Sequence, residues 1–306
     1  MGIILPSKRT VTNFYVNGDA NMTATEVDIK NFTKSISSYA QAVSYQDKVC
    51  FFSDTSMYIL ENGTFTSGPN LPIRWNPTGY VAEQTTSLGG RFIACDRGVA
   101  MVGCDVIEET ANLWNGSTWE SLPDLKVPQD FNCGVFYNGK LYALGSADEG
   151  YASRVYSYNT TSGTEWNWDM SLPFKARLSD AVVYGNVVHI FGGQNSSYSD
   201  PNTNHYIFDG STCTQSTDIP DTFSTNTGGR AIVHDNKIYL IGCAGGTKTW
   251  IWDNGSWVAG NDLLIKLANQ VVFTYDGEIY RMGGSGTASG RFISYEHELL
   301  GYKLTT

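Results

Sequence analysis

The sequence predicts an all-β protein closed into a six-bladed β-propeller, each blade a four-stranded antiparallel sheet. Three observations predict it. A short phrase recurs six times, in which apolar residues lead into a tight polar turn and an apolar strand follows, usually ending in Gly or Gly-Gly. The copies are VSYQDKVCFFSD (43–54), IACDRGVAMVGC (93–104), VFYNGKLYALGS (135–146), VVYGNVVHIFGG (182–193), IVHDNKIYLIGC (232–243) and FTYDGEIYRMGG (273–284). Their turns, at Gln46, Asp96, Asn138, Gly185, Asp235 and Asp276, stand about 50, 42, 47, 50 and 41 residues apart, and all-β units at that period mark a propeller with one blade per repeat. A second hairpin phrase then follows five of the copies: MYILENGTFTSGPNLP (57–72), NLWNGSTWESLPDL (112–125), VYSYNTTSGTEWNWDMSLP (155–173), YIFDGSTCTQSTDIP (206–220) and WIWDNGSWVAGNDL (250–263).

Each repeat therefore reads as strands a, b, c and d. The a–b turn is the polar break in the first phrase. In the second phrase, Asn62-Gly63, Asn115-Gly116, Asp209-Gly210 and Asn254-Gly255 are expected to supply the positive φ of a tight hairpin. The aromatics Phe65, Trp119 and Trp257 follow on strand d, placed to wedge against the next blade. The last repeat is weaker: RFISYEHELLGYKLTT (291–306) carries no turn signal. Residues 39–306 are read as the propeller, and 1–38 as an N-terminal segment that partly closes the last blade and partly attaches the molecule elsewhere. NFYVNG (13–18) resembles a c strand. Seven blades is the competing count.

Composition narrows the function. Of 306 residues, 41% are hydrophobic and only 16% charged, ample for a core. The net charge of −10, with no Lys/Arg cluster, argues against nucleic acid and against anionic membrane surfaces. No apolar run has the length to span a bilayer. The start, MGIILPSKRT, is too short and carries its basic pair on the wrong side for a classical export signal. Six cysteines without a CxxC pair fall mostly at strand positions, as buried reduced thiols. Seven N-x-S/T sequons, at Asn21, Asn31, Asn62, Asn115, Asn159, Asn195 and Asn254, carry little weight in a chain so rich in Asn, Ser and Thr.

The repeat resembles that of the kelch-repeat propellers, over roughly residues 39–306. Gly192-Gly193 and Gly283-Gly284 close strand b, Tyr58, Trp114, Tyr156, Tyr206 and Trp250 mark strand c, and a Trp with a trailing Leu-Pro marks strand d. Two copies depart from the pattern with Gly-Cys (103–104, 242–243), and the first carries Ser53-Asp54. The resemblance implies a fold shared with galactose-oxidase-like enzymes and protein-binding kelch modules. A copper site needs converging His and Tyr, whereas His189, His205, His234 and His297 are scattered along the chain and His189 sits in a column otherwise filled by Cys50, Ala100, Tyr142, Tyr239 and Tyr280. WNGSTW and FDGSTC lack the arrangement of a sialidase Asp-box, and G-x-S-x-G is absent. No metal or other cofactor is expected.

Two candidate sites remain. Strand a lies innermost, so equivalent a-strand positions form a ring around the central channel: Gln41, Arg91, Cys133, Asp180, Arg230 and Val271. Two arginines, a carboxylate and an amide at one depth can bind an anionic or sugar-like ligand. The plainer reading is mutual neutralisation in a wet channel. The loop face offers Trp75, Tyr80, Tyr151 and Tyr198 among Ser, Gly and Asn, with Asp130 and Arg177 just before strand a, a composition suited to recognition. The expected function is non-enzymatic: a binding or structural propeller that recognises a protein or cell-surface glycan. Its composition is like that of virion-borne proteins such as phage tail components, and residues 1–38 would join it to a larger assembly on a virion or extracellular surface. The alternatives are a channel enzyme of sugar oxidase or sialate mutarotase type, and an intracellular scaffold.

Overall fold

The structure, a computed structural model, describes residues 9–11, 24–28, 40–53, 55–72, 91–103, 110–127, 133–146, 150–194, 202–225, 228–263, 270–275, 277–282 and 298–301. Its strands form six antiparallel sheets. The first two strands, β1 (Arg9–Val11) and β2 (Ala24–Asp28), belong to the last of them. Blade 1 is β3 (Gln41–Tyr45), β4 (Lys48–Ser53), β5 (Ser56–Glu61) and β6 (Thr64–Ser67). Blade 2 is β7 (Arg91–Cys95), β8 (Gly98–Val102), β9 (Ala111–Trp114) and β10 (Trp119–Leu122). In blade 3, β11 (Cys133–Tyr137) and β12 (Lys140–Leu144) lead to β13 (Arg154–Asn159) and β14 (Asn167–Ser171). Blade 4 has the long pair β15 (Lys175–Tyr184) and β16 (Val187–Gln194), then β17 (His205–Phe208) and β18 (Cys213–Gln215). Blade 5 is β19 (Arg230–His234), β20 (Lys237–Gly242), β21 (Lys248–Asp253) and β22 (Ser256–Ala259). Blade 6 starts with β23 (Val271–Tyr275), β24 (Glu278–Met282) and β25 (Glu298–Gly301).

The a strands β3, β7, β11, β15, β19 and β23 each touch the a strands of both neighbouring blades, and β23 returns to β3. The ring is closed at six. Blade 6 departs from the four-stranded pattern: its order is β23-β24-β25-β2-β1, so strands from both ends of the chain share one sheet. Thr25 pairs with Gly301 and Asp28 with Glu298, and these ladder bonds occupy what is otherwise an exposed sheet edge. The c-like NFYVNG lies outside the described residues.

Apolar burial is divided among six seams between blades. Ile93, Val102 and Leu113 of blade 2 meet Leu141, Tyr156 and Trp166 of blade 3. Phe51 and Phe273 hold blade 1 to blade 6, while the next residue, Phe52, faces blade 2. Strand b is thus covered on both faces, and β8 is buried along its whole length. That is why the b strands read as continuous apolar runs rather than as an alternation. Cys50, Cys95, Cys133 and Cys243 lie in these seams as free thiols, and Cys213 packs beside one. Burial pushes the Cys50 and Cys133 thiols up to about 12.

The strand-b glycines have a backbone cause. Gly103, Gly145, Gly192 and Gly242 have φ of 61°, 75°, 75° and 92°, where a side chain is strained. A Cβ on Gly192 would stand 2.9 Å from Phe223, and one on Gly242 2.6 Å from the Gly228 carbonyl. The c–d turns divide into two kinds. Asn62-Gly63 (φ 49°, 71°) and Asn254-Gly255 (48°, 85°) are left-handed at both positions, as expected. Asn115 and Asp209 are not left-handed. Their side chains instead cap the turn: Asn115 Oδ1 accepts the N–H groups of Ser117 and Thr118, and Asp209 Oδ1 those of Ser211 and Thr212. Asn159 does the same for Thr161 and Ser162. Four of the sequon asparagines, Asn62, Asn115, Asn159 and Asn254, are therefore turn residues by structure. No helix among the described residues is long and apolar enough to cross a membrane.

Candidate functional site

The predicted ring is one level of the propeller. Gln41, Arg91, Cys133, Asp180, Arg230 and Val271 pair with Phe52, Val102, Leu144, Phe191, Ile241 and Met282, the equivalent residues of each b strand. Five of the six ring residues line a cavity of about 140 Å³ at the channel mouth, with Gly134 taking the place of Cys133 and Ala40, Ala42, Ala181 and Ala231 among the rest. That volume is several times what one water needs. Cys133 is fully buried in the seam between blades 3 and 4.

The small residues of blade 3 allow a bridge across it. Arg91 of blade 2 donates through Nη2 to Asp180 Oδ1 of blade 4 at 2.8 Å and to the Ser179 carbonyl at 3.4 Å. Oδ1 of Asp180 also accepts the Ala181 N–H at 3.1 Å, and Oδ2 accepts the Ala231 N–H of blade 5 at 3.0 Å. One carboxylate thus ties three blades together. Gln41 makes the same kind of link from blade 1, its Oε1 accepting the Phe92 N–H of blade 2 at 3.1 Å. Arg230 donates through Nη1 to two neutral acceptors, the carbonyls of Thr225 (3.1 Å) and Gly229 (2.7 Å). Burial, with Arg91 nearby, lowers its guanidinium to about 10, against the opposing pull of Asp180. It is still a cation at neutral pH.

The loop-face candidates fare differently. Trp75, Tyr80, Asp130 and Tyr198 lie outside the described residues. Arg177 does not stand on the surface: it is buried, at 8% exposure, where β15 breaks register between Lys175 and Ser179 and Leu178 turns to φ 62°. Tyr151 lies in the b–c loop of blade 3 as expected, and the structure gives it partners that the sequence reading missed. The Arg154 guanidinium lies 4.5 Å from the Tyr151 ring centre and 4.9 Å from that of Trp168. Trp168 is 58% exposed, and its Nε1 donates to the Met170 carbonyl at 3.0 Å. A bulge opposite Val155 and Tyr156 re-aims this stretch of β14. The signal available in sequence was the second Trp in WNWDM, since each of the other d strands carries at most one.

The histidines were expected to be scattered. Instead His189 Nδ1 and His205 Nε2 lie 2.9 Å apart, buried between blades 4 and 5 beside Phe191, Trp252 and Trp257. His205 Nδ1 lies 3.1 Å from the Thr217 carbonyl. A carbonyl only accepts, so His205 carries its proton on Nδ1 and receives the Nδ1–H of His189 on Nε2. Burial holds both imidazoles well below the usual range. Both ring nitrogens of His205 are hydrogen-bonded, and among the described residues no His, Cys, Asp or Glu cluster of three is placed to hold a metal.

Six sheets in a closed ring, a glycine column ending strand b and aromatics in the seams define the molecule as a six-bladed β-propeller. No protein-family model matches the chain. The Kelch domain-containing protein SSO1033 of Saccharolobus solfataricus is 37% identical over 67 residues, 22% of this chain and 9% of that protein. The match thus spans under a tenth of that relative's length. The structure of YjhT aligns over 89% of this chain and 95% of its own, with a TM-score of 0.66 and 14% identity. At that identity the likeness is one of fold.

Proposed function

We propose that this propeller binds rather than catalyses, recognising a protein or a cell-surface glycan on the face that carries the b–c loops and the channel mouth. The observation behind this is the Tyr151–Arg154–Trp168 stack. An indole more than half exposed and fixed by its own hydrogen bond offers an apolar plane with little ordering entropy left to lose. The cation beside it adds a polar contact of the kind found at recognition hot spots. It lies at the same end of blade 3 as the ring residues, because Cys133, Leu144 and Val155 are register partners.

A channel enzyme needs an acid or base free to exchange a proton with substrate. Asp180 has both oxygens committed to Arg91 and to backbone N–H groups, which favours binding over catalysis. The low charge and the abundance of Asn, Ser, Thr and Gly accord with a virion or other extracellular surface, with the remainder of residues 1–38 joining the propeller to a larger assembly. The test is a glycan-array screen of the purified chain beside Trp168→Ala and the Arg91→Ala/Arg230→Ala pair. Binding lost in Trp168→Ala alone supports the loop-face reading. Binding lost only in the arginine pair moves recognition to the channel and reopens catalysis.

A further inference from the structure

The channel mouth holds more positive charge than it neutralises. Among the described residues that line the cavity, Arg91 and Arg230 are the cations and Asp180 the only anion. Asp180 is spent on Arg91, at 2.8 Å. Arg230 has only carbonyl oxygens on Nη1, and these satisfy a donor without cancelling its charge. Charge taken out of water without a counter-ion is costly, and the surrounding wall is largely Ala, Gly and Val. A chain of net charge −10 has here a local surplus of one positive charge.

We propose that the channel mouth is a site for a small oxyanion, the carboxylate or phosphate group of a ligand, seated between the guanidiniums of Arg91 and Arg230. Guanidinium forks match the paired oxygens of either group. The cavity of about 140 Å³ accepts the headgroup, leaving the remainder of a larger ligand on the loop face. Asp180 is the positioning residue: it fixes Arg91 from one side and, through the Ala231 N–H, holds the strand that carries Arg230. Small neutral molecules gain nothing from this arrangement. The acidic bulk of the protein disfavours anions at long range, so binding is weak and confined to the local site.

The inference is independent of the aromatic stack, and its experiment separates the two. Titration calorimetry of the full chain with inorganic phosphate and, separately, with acetate is expected to show one site for at least one of them. Arg230→Gln is expected to weaken that site at least about tenfold, as loss of a charge-assisted hydrogen bond implies. Trp168→Ala should leave it unchanged. The two titrations tell phosphate from carboxylate. Because Arg230→Gln can fail to fold, crystals of the unaltered chain soaked in arsenate give a second reading, with an anomalous peak expected between Arg91 and Arg230. No heat with either anion and no peak at that place would overturn the proposal, as would full affinity retained in folded Arg230→Gln.

Discussion

The seam between blades 1 and 2 and the seam between blades 4 and 5 occupy the same place in the repeat and are filled with different chemistry. In the first, Phe52 stacks on Phe92 with ring centres 3.8 Å apart and planes 2° off parallel, and Trp119 meets Phe52 edge-on. Met57, Met101 and Trp114 belong to the same cluster. In the second, the residue register-paired with the ring position is again a phenylalanine, Phe191, but it packs against the His189–His205 pair. The column that holds Cys50 in blade 1 holds His189 in blade 4, and the one that holds Met57 holds His205. A propeller seam thus asks first for volume: the blade 1–2 seam buries the indole N–H groups of Trp114 and Trp119 without a hydrogen-bond partner, and the seam of blades 4 and 5 accepts fillers that titrate only when the pH falls.

The largest effect expected is the loss of an aromatic filler. Phe52 is fully buried, so Phe52→Ala should cost about 3–5 kcal/mol. The change is measured as the shift of the urea midpoint at unchanged slope. A cost below about 1 kcal/mol would show that neighbouring blades slide together to refill the space, and the seam would not be the unit of stability described here.

The second prediction turns on pH. Burial lowers His189 and His205 to about 4, whereas an unfolded histidine takes up its proton near 6.5. The unfolded chain therefore binds more protons in this interval, and stability falls as pH falls. The contribution is complete above about pH 6.5 and is lost progressively toward pH 4, to the extent of about 3 kcal/mol for one His. His189→Tyr/His205→Met, which installs residues found at the equivalent positions of other blades, should flatten the stability curve between those limits. An unchanged slope in that variant would assign acid sensitivity to other groups.

The third concerns Asp180, which joins blades 2, 4 and 5 from the channel side. Asp180→Asn keeps the shape and leaves Arg91 beside a neutral amide. A loss of about 2–3 kcal/mol is expected, with a coupling to Arg91→Gln of about 1 kcal/mol or more in a double-mutant cycle. Additive single effects would mean that the 2.8 Å pair contributes no more than its separate backbone bonds.

These cases also show what sequence can convey. Ring and column positions were legible because aligning the a–b turns is the same operation as aligning the strand register, and the six pairs from Gln41–Phe52 to Val271–Met282 follow from it. Neutralisation of the ring arginines by Asp180 was legible, but which arginine it takes was not, because Arg91 lies two blades away across Gly134 and Cys133 and no repeat rule relates blades 2 and 4. The meeting of His189 and His205 depended on a diagonal contact between strands b and c, which a column-by-column reading treats separately. Arg177 looked like a surface residue beside a loop until the register break at Lys175–Ser179 turned it inward. Trp168 was not singled out, because nothing in the repeat announces the bulge in β14 that places it in solvent.

The smallest effect tests the two seams at their rims. Tyr184 of blade 4 donates its hydroxyl across the seam to the Asn236 carbonyl in the a–b turn of blade 5, at 2.9 Å. Tyr137 makes the same link from blade 3 to Asn186 of blade 4, at 2.7 Å. Tyr45, in the equivalent position of blade 1, accepts a bond from its neighbour Gln46 at 3.2 Å and makes no such link. Tyr184→Phe should therefore cost about 0.5–1 kcal/mol, and Tyr45→Phe close to nothing, both read from chemical denaturation at neutral pH. Hydrogen exchange at the a–b turn of blade 5 should quicken in Tyr184→Phe, while the turn of blade 2 keeps its rate in Tyr45→Phe. Equal costs for the two substitutions would mean that the hydroxyl bond counts for little beside the ring packing beneath it, and the difference between the seams would then rest on the histidine pair alone.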